Sequence, residues 1–204
     1  MQKELKSIFQ KHCPQVAFGS LRWVQKESEI ITVRDETLEP LRRERDFGLM
    51  IPLWDQGAWG YAATRNTSEA GVRQAIEMAR RHLERTANQQ LPWPKDFKWP
   101  HPQGTYESQV GQPWQNVSLQ DKVALLMDMN ASMKCHDNIV YRESSLWCAD
   151  ETHGYITHEG GEVLQKITFV APDISVTAAN DNDAQTRSMS GRALVRQGGF
   201  ELIE

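Results

Sequence analysis

Apolar residues alternate with polar ones over two long stretches of this chain and recur at helical spacing in three shorter ones. Leu5, Ile8 and Phe9 fall on one stripe and predict a short opening helix. From Gln15 to about Arg45 the pattern is β: Val16 and Phe18 alternate, Leu21 and Trp23 alternate, and Ile31 and Val33 follow Glu29 on the same parity. Turn residues at 26–28 and 35–37 predict breaks between strands. The alternation resumes at 46–54 and again at Gly57-Ala58-Trp59-Gly60-Tyr61-Ala62-Ala63-Thr64, across a turn at Asp55-Gln56-Gly57. The first third therefore reads as an antiparallel meander of about four strands. Pro52 has no amide to donate, which predicts an edge position or a bulge.

The strongest helix runs from Ser68 to about Thr86. Ser68 caps it, and Val72, Ala75, Ile76, Ala79 and Leu83 supply its apolar stripe. Glu69 with Arg73 and Glu77 with Arg81 are spaced as i,i+4 ion pairs on the outer face. Ser118-Leu119-Gln120-Asp121 resembles a capping box and opens a helix to about Lys134, with Val123, Leu125, Leu126 and Met129 on its apolar side. Strand patterns then return at 139–148, 153–158, 162–170, 173–179 and 185–194, separated by Glu159-Gly160-Gly161, Ala171-Pro172 and Asn180-Asp181-Asn182-Asp183.

Residues 88–117 lack any period. They hold Pro92, Pro94, Pro100, Pro102 and Pro113 with Trp93, Trp99 and Trp114. Such a stretch is longer than an ordinary connection. It reads as an extended segment held on the surface of the first lobe, with a peptide-binding aromatic strip as the sharper alternative. The expected organisation is a first α+β lobe over 1–87, a Pro/Trp-rich connector over 88–117, and a helix plus second meander over 118–204. The fold class is α+β, antiparallel β-meanders with packed helices.

Composition narrows the function classes. The chain has 204 residues, 39% hydrophobic and 25% charged, with a net charge of -4. That balance suits an ordinary globular protein and argues against a nucleic-acid partner. Arg42, Arg43 and Arg45 form the tightest basic cluster, but Glu44 and Asp46 interrupt it. On a strand Arg43 and Arg45 share a face and Arg42 takes the other, so the cluster reads as a solvated strand surface. No apolar run reaches the ~20 residues that cross a bilayer, and Lys3, Glu4, Lys6 and Lys11 interrupt any leader-like start. Cys13, Cys135 and Cys148 show no CxxC spacing and read as small buried residues of a reducing compartment. The expected location is cytoplasmic, with no membrane partner.

Two constellations invite a chemical reading. In His158-Glu159-Gly160-Gly161-Glu162 the zincin pattern fails, because the fifth residue is glutamate and the glycines break a helix; a hairpin turn fits better. An independent enzyme built on His158 and Glu159 is the reading this displaces. His12, His82, His101, His136 and His153 show no ligand spacing. Asp181 and Asp183 resemble the start of a calcium loop but lack its glycine and closing glutamate. No phosphate loop or nucleophile elbow is present. No catalytic, metal or cofactor residue is assigned in this chain.

Two regions carry a family resemblance. Asp46-Phe47-Gly48-Leu49-Met50-Ile51 through Gly57-Ala58-Trp59-Gly60-Tyr61-Ala62-Ala63-Thr64, then Ser68-Glu69-Ala70, resembles a glycine-led strand, a Gly-x-Trp-Gly-aromatic run and a helix. Thr157-His158-Glu159-Gly160-Gly161 with Gln165, then 185–187 and Gly198-Gly199-Phe200-Glu201, resembles the elements that precede a catalytic half. Both are similar to the N-terminal half of the TldD/PmbA family, first named as modulators of DNA gyrase and now regarded as zinc metalloproteases.

The resemblance implies a peptide or unfolded-protein substrate, a homo- or heterodimer with a family member, and zinc bound by His-Glu-x-x-x-His and a later cysteine. Those ligands lie beyond the point equivalent to Glu204, so no residue here inherits them. The chain then reads as a fragment, the non-catalytic N-terminal part of a peptidase that shapes its cleft. Trp59, Tyr61 and the Trp93/Trp99 region are conceivable peptide contacts, although core packing suits each better. A stand-alone peptide- or partner-binding module is the alternative. Substrate-binding residues stay unassigned.

Overall fold

The computed structural model describes residues 1–87, 97–189 and 195–203. Three helices and nine strands occur among them: α1 (Gln2–His12), β1 (Phe18–Arg34), β2 (Thr37–Leu38), β3 (Arg42–Asp55), β4 (Ala58–Thr64), α2 (Glu69–Thr86), β5 (Gln103–Glu107), α3 (Leu119–Ser132), β6 (Ile139–Thr157), β7 (Glu162–Ala179), β8 (Ala184–Ser188) and β9 (Arg196–Gln197). The strands pair in the order β4-β3-β1-β6-β7-β5, with β2 on β1 and β8 and β9 on β7. The expected α+β class holds.

Several predicted breaks are absent, because pairing overrides local turn chemistry. β1 runs unbroken through 26–28, where Glu27 bonds Arg45 and Lys26 lies over the Trp147 ring. β6 continues through 149–152, and β7 through Ala171-Pro172. Pro172 falls between the residues of β7 that pair with β9 (Phe169, Val170) and those that pair with β8 (Ser175 to Ala179). Pro52 is neither at an edge nor in a bulge on its β4 side. β3 has neighbours on both sides, and its register to β4 is continuous from Leu49↔Thr64 to Asp55↔Ala58. The two-residue turn Gln56-Gly57 has φ of 46° and 85°, as the right-handed twist of a tight hairpin demands.

Cα packing divides the chain into two compact units that are not consecutive in sequence. The first comprises Met1–Gln25, Asp46–Tyr106 and Glu151–Lys166, the second Lys26–Arg45, Glu107–Asp150 and Ile167–Glu204. In the first, the stripes of α1 (Leu5, Ile8, Phe9) and α2 (Val72, Ala75, Ile76, Ala79, Leu83) share one core with Leu21, Trp23, Leu49, Ile51, Leu53 and Ile156. Ser68 caps α2 as predicted, its Oγ accepting from Gly71 N–H. The outer ion pairs differ from the expected ones: Glu69 meets Lys11 and His12 of α1, and Glu77 meets Arg80. Gly60 lets β4 approach α2, since a Cβ there would lie 2.1 Å from the Ala79 carbonyl oxygen.

The second unit has its own core of Ile31, Val33, Trp114, Leu126, Leu146, Cys148, Val170 and Phe200. Ser118 caps α3, accepting from Asp121 N–H. The residues α3 buries most deeply are Lys122, Leu126 and Asn130; Val123, Leu125 and Met129 are only partly covered. Polar residues occupy these positions because each has a partner. Asn130 donates to the carbonyls of Val33 and Arg142 and accepts from Glu36 N–H. At the far end of the chain Glu201 accepts from the backbone N–H groups of Gly111, Gln112 and Gly199.

Candidate functional site

The second unit contains a cavity of about 560 Å³, lined by Glu27, Ser28, Glu29, Arg43, Glu44, Arg45, Trp114, Gln115, Val117 and Lys122. Alternation on β1 places Glu29 with the core residues Ile31 and Val33, and helical spacing on α3 places Lys122 with Leu126 and Asn130. The two charges meet: Lys122 Nζ is 2.7 Å from Glu29 Oε1, with side chains 2% and 1% exposed. The other carboxylate oxygen takes Arg43, whose Nε and Nη2 both lie 2.6 Å away. Next along β3, Arg45 bonds Glu27 Oε1 through Nε and Nη2, at 3.1 and 2.8 Å. The shared face expected for Arg43 and Arg45 is thus occupied by two glutamates of β1, and both arginines remain solvated, at 60% and 81% exposed.

Trp114 closes one wall. Its ring lies 5.1 Å from Lys122 Nζ, a distance at which a cation is attracted to the π-face. Its indole N–H donates to Asp150 Oδ1 at 3.3 Å, and Thr168 Oγ1 donates to the same oxygen at 2.7 Å. The ion-pair cluster was visible in sequence only as a glutamate on the core parity of β1 and a lysine on the core stripe of α3.

The first unit carries an aromatic assembly. Trp99 stacks on Phe18 with centroids 4.1 Å apart and also meets Trp54, Trp59 and Phe97 at 5.0 to 5.6 Å. Trp99 is therefore packed on the first unit. Trp93, with Pro92 and Pro94, lies outside the described residues. Tyr61 is 62% exposed. Two carbonyls of the terminal strand β4 are already used: Tyr61 O by His82 Nδ1 (2.8 Å) and Trp59 O by Thr86 Oγ1 (2.7 Å). Those two acceptors are engaged by α2 before any added strand could use them.

Around the predicted turn, His101 bonds Thr157 Oγ1 (2.7 Å) and Glu159 Oε2 (2.8 Å), while His158 bonds the backbone of Gly19. Residues 158–161 do form the β6–β7 turn. Asn180 to Asp183 is likewise a polar turn, with Asn180 Oδ1 accepting from the N–H groups of Asn182 and Asp183. Among the described residues no three His, Cys, Asp or Glu side chains stand together as metal ligands would, and no helix is long and apolar enough to cross a membrane. Burial raises the Cys13 thiol to about 11 and the Cys148 thiol to about 12. Cys135, expected to be buried, is exposed, because it follows the end of α3.

Residues 19–83 match the PmbA/TldA metallopeptidase domain 1, and residues 112–203 match the PmbA/TldA metallopeptidase central domain. The chain belongs to the PmbA/TldD family. No curated protein sequence matches it. Solved structures with the same fold include a protein named as a modulator of DNA gyrase from Bacteroides thetaiotaomicron, at TM-score 0.66 and 14% identity over 92% of this chain and 43% of that one. A second protein of that name, from Thermotoga maritima, has TM-score 0.64 and 12% identity over 91% and 41%. TldE from Thermococcus kodakarensis has TM-score 0.61 and 13% identity over 92% and 41%. The chain spans less than half the length of these relatives. Within the PmbA/TldD frame, the Gly-x-Trp-Gly run is the β4 strand that Gly60 allows against α2. The Gly-Gly-aromatic-Glu run is the segment that Glu201 ties to Gly111 and Gln112.

Proposed function

We propose that this chain is the non-catalytic N-terminal part of a PmbA/TldD-type metallopeptidase, which shapes the cleft for an extended peptide and contributes to a dimer with a family member. The observation that carries this reading is the ordered match to domain 1 and the central domain of a metallopeptidase family. Zinc and the groups that hold it belong, in this reading, to a catalytic portion downstream of Glu204. At the β4 end of the sheet α2 already holds two carbonyls, which leaves that edge less suited to strand addition by a peptide. A peptide-processing role in the cytoplasm is part of the same proposal.

The test is to purify the 204-residue chain and measure bound zinc, hydrolysis of unfolded casein and molar mass by light scattering. The expected result is no hydrolysis, with or without added zinc, and self-association or capture of a family member. Chelator-sensitive hydrolysis by this chain alone would overturn the reading. A folded monomer that binds peptides with no catalytic partner would favour the stand-alone binding module.

A further inference from the structure

We propose that the cavity between β1, β3 and α3 is a binding site for a carboxylate, presented by a small organic acid or by a peptide C-terminus. Arg43 and Arg45 sit two residues apart on one face of β3, about 7 Å from each other along the strand, and both line the cavity. Each spends the Nε–Nη2 edge of its guanidinium on a glutamate of β1. No hydrogen bond from either Nη1 to the described residues accompanies these, and a guanidinium has five N–H donors in a fixed fork. The glutamates thus orient two cations while leaving donors for a second planar anion, the geometry that arginine serves best.

Over the whole lining Arg43, Arg45 and Lys122 are balanced by Glu27, Glu29 and Glu44, but the charges are unevenly placed. Glu29 is shared by Lys122 and Arg43, so one carboxylate stands against two cations and that triad keeps a net positive charge. Lys122 is itself fixed between Glu29 and the Trp114 ring, which holds the floor in place. Val117 and Trp114 offer apolar wall for a side chain adjoining the carboxylate. Glu44 also lines the cavity and opposes an anion there. The site is independent of the peptidase reading, because it needs no catalytic portion.

Isothermal titration of the 204-residue chain with N-acetylphenylalanine, with a tripeptide bearing a free C-terminus, and with the C-terminal amide of each tests it. The expected result is binding of the acids at least tenfold tighter than of their amides, weaker at higher salt. Tighter binding of the tripeptide than of the single residue assigns the peptide source, and the reverse assigns a small acid. Arg45→Gln, at the more exposed position, should weaken the acids severalfold and leave the circular dichroism spectrum unchanged. Glu44→Gln should strengthen them. Equal affinity for acid and amide, absence of binding at millimolar ligand, or indifference to both substitutions overturns the proposal.

Discussion

Lys122 Nζ lies 2.7 Å from Glu29 Oε1 with both side chains almost wholly shielded from water, so α3 and β1 are joined by a buried ion pair. Such a pair recovers its desolvation cost only when every donor and acceptor is used. Glu29 has a second charged partner in Arg43, and Lys122 a cation–π contact with Trp114. Removing Glu29 strands the Lys122 charge, and removing Lys122 leaves the buried Glu29 with Arg43 alone. Lys122→Met and Glu29→Gln should each destabilise the chain by about 3–5 kcal/mol, measured by urea denaturation. The paired change Glu29→Gln with Lys122→Met should cost distinctly less than the sum of the two.

Gly60 should not tolerate a side chain. The nearest atoms to an added Cβ are backbone, the Ala79 carbonyl oxygen and Leu83 N, and neither can swing aside. Gly60→Ala should lower stability by at least about 1–3 kcal/mol through displacement of α2 from β4. A thermal melt checks it; an unchanged midpoint would mean that α2 does not pack on β4 as described.

Acid should loosen the closing segment through Glu201. Three backbone N–H groups, those of Gly199, Gly111 and Gln112, lower its carboxyl to about 2. A group depressed in the folded state adds stability above its unfolded pKa, and that contribution disappears as pH falls through the folded value. The Glu201 contribution is therefore complete near neutrality and fades between about 4.5 and about 2. Wild type should lose stability over that window more steeply than Glu201→Gln, in denaturation curves taken at each pH.

Thiol reactivity should sort the cysteines. Cys135 is exposed, whereas burial raises Cys13 and Cys148 far above neutrality, and the thiolate is the reactive form. A thiol-reactive dye should label Cys135 quickly in the native chain and the other two only after unfolding.

Much of the architecture was legible because periodicity reports burial. The stripes of α1 and α2, the Ser68 and Ser118 caps, and the turns at Gln56-Gly57 and 158–161 all follow from local chemistry. Strand breaks were less legible. Lys26-Glu27-Ser28 looks like a turn by composition, yet Arg45 and Trp147 give Lys26 and Glu27 cross-strand partners. The cavity was the least legible element, since Glu29, Arg43 and Lys122 come from three elements separated by up to 93 residues. No local pattern reports that separation. Only the parity of Glu29 and the stripe position of Lys122 hinted that two charges were directed inward.

The most direct test of the proposed function is the reading frame that follows the codon for Glu204. The account predicts an open frame that encodes His-Glu-x-x-x-His and a later cysteine, making this chain the N-terminal part of a zinc peptidase. A stop codon immediately after Glu204, with a stably folded natural product, would contradict it.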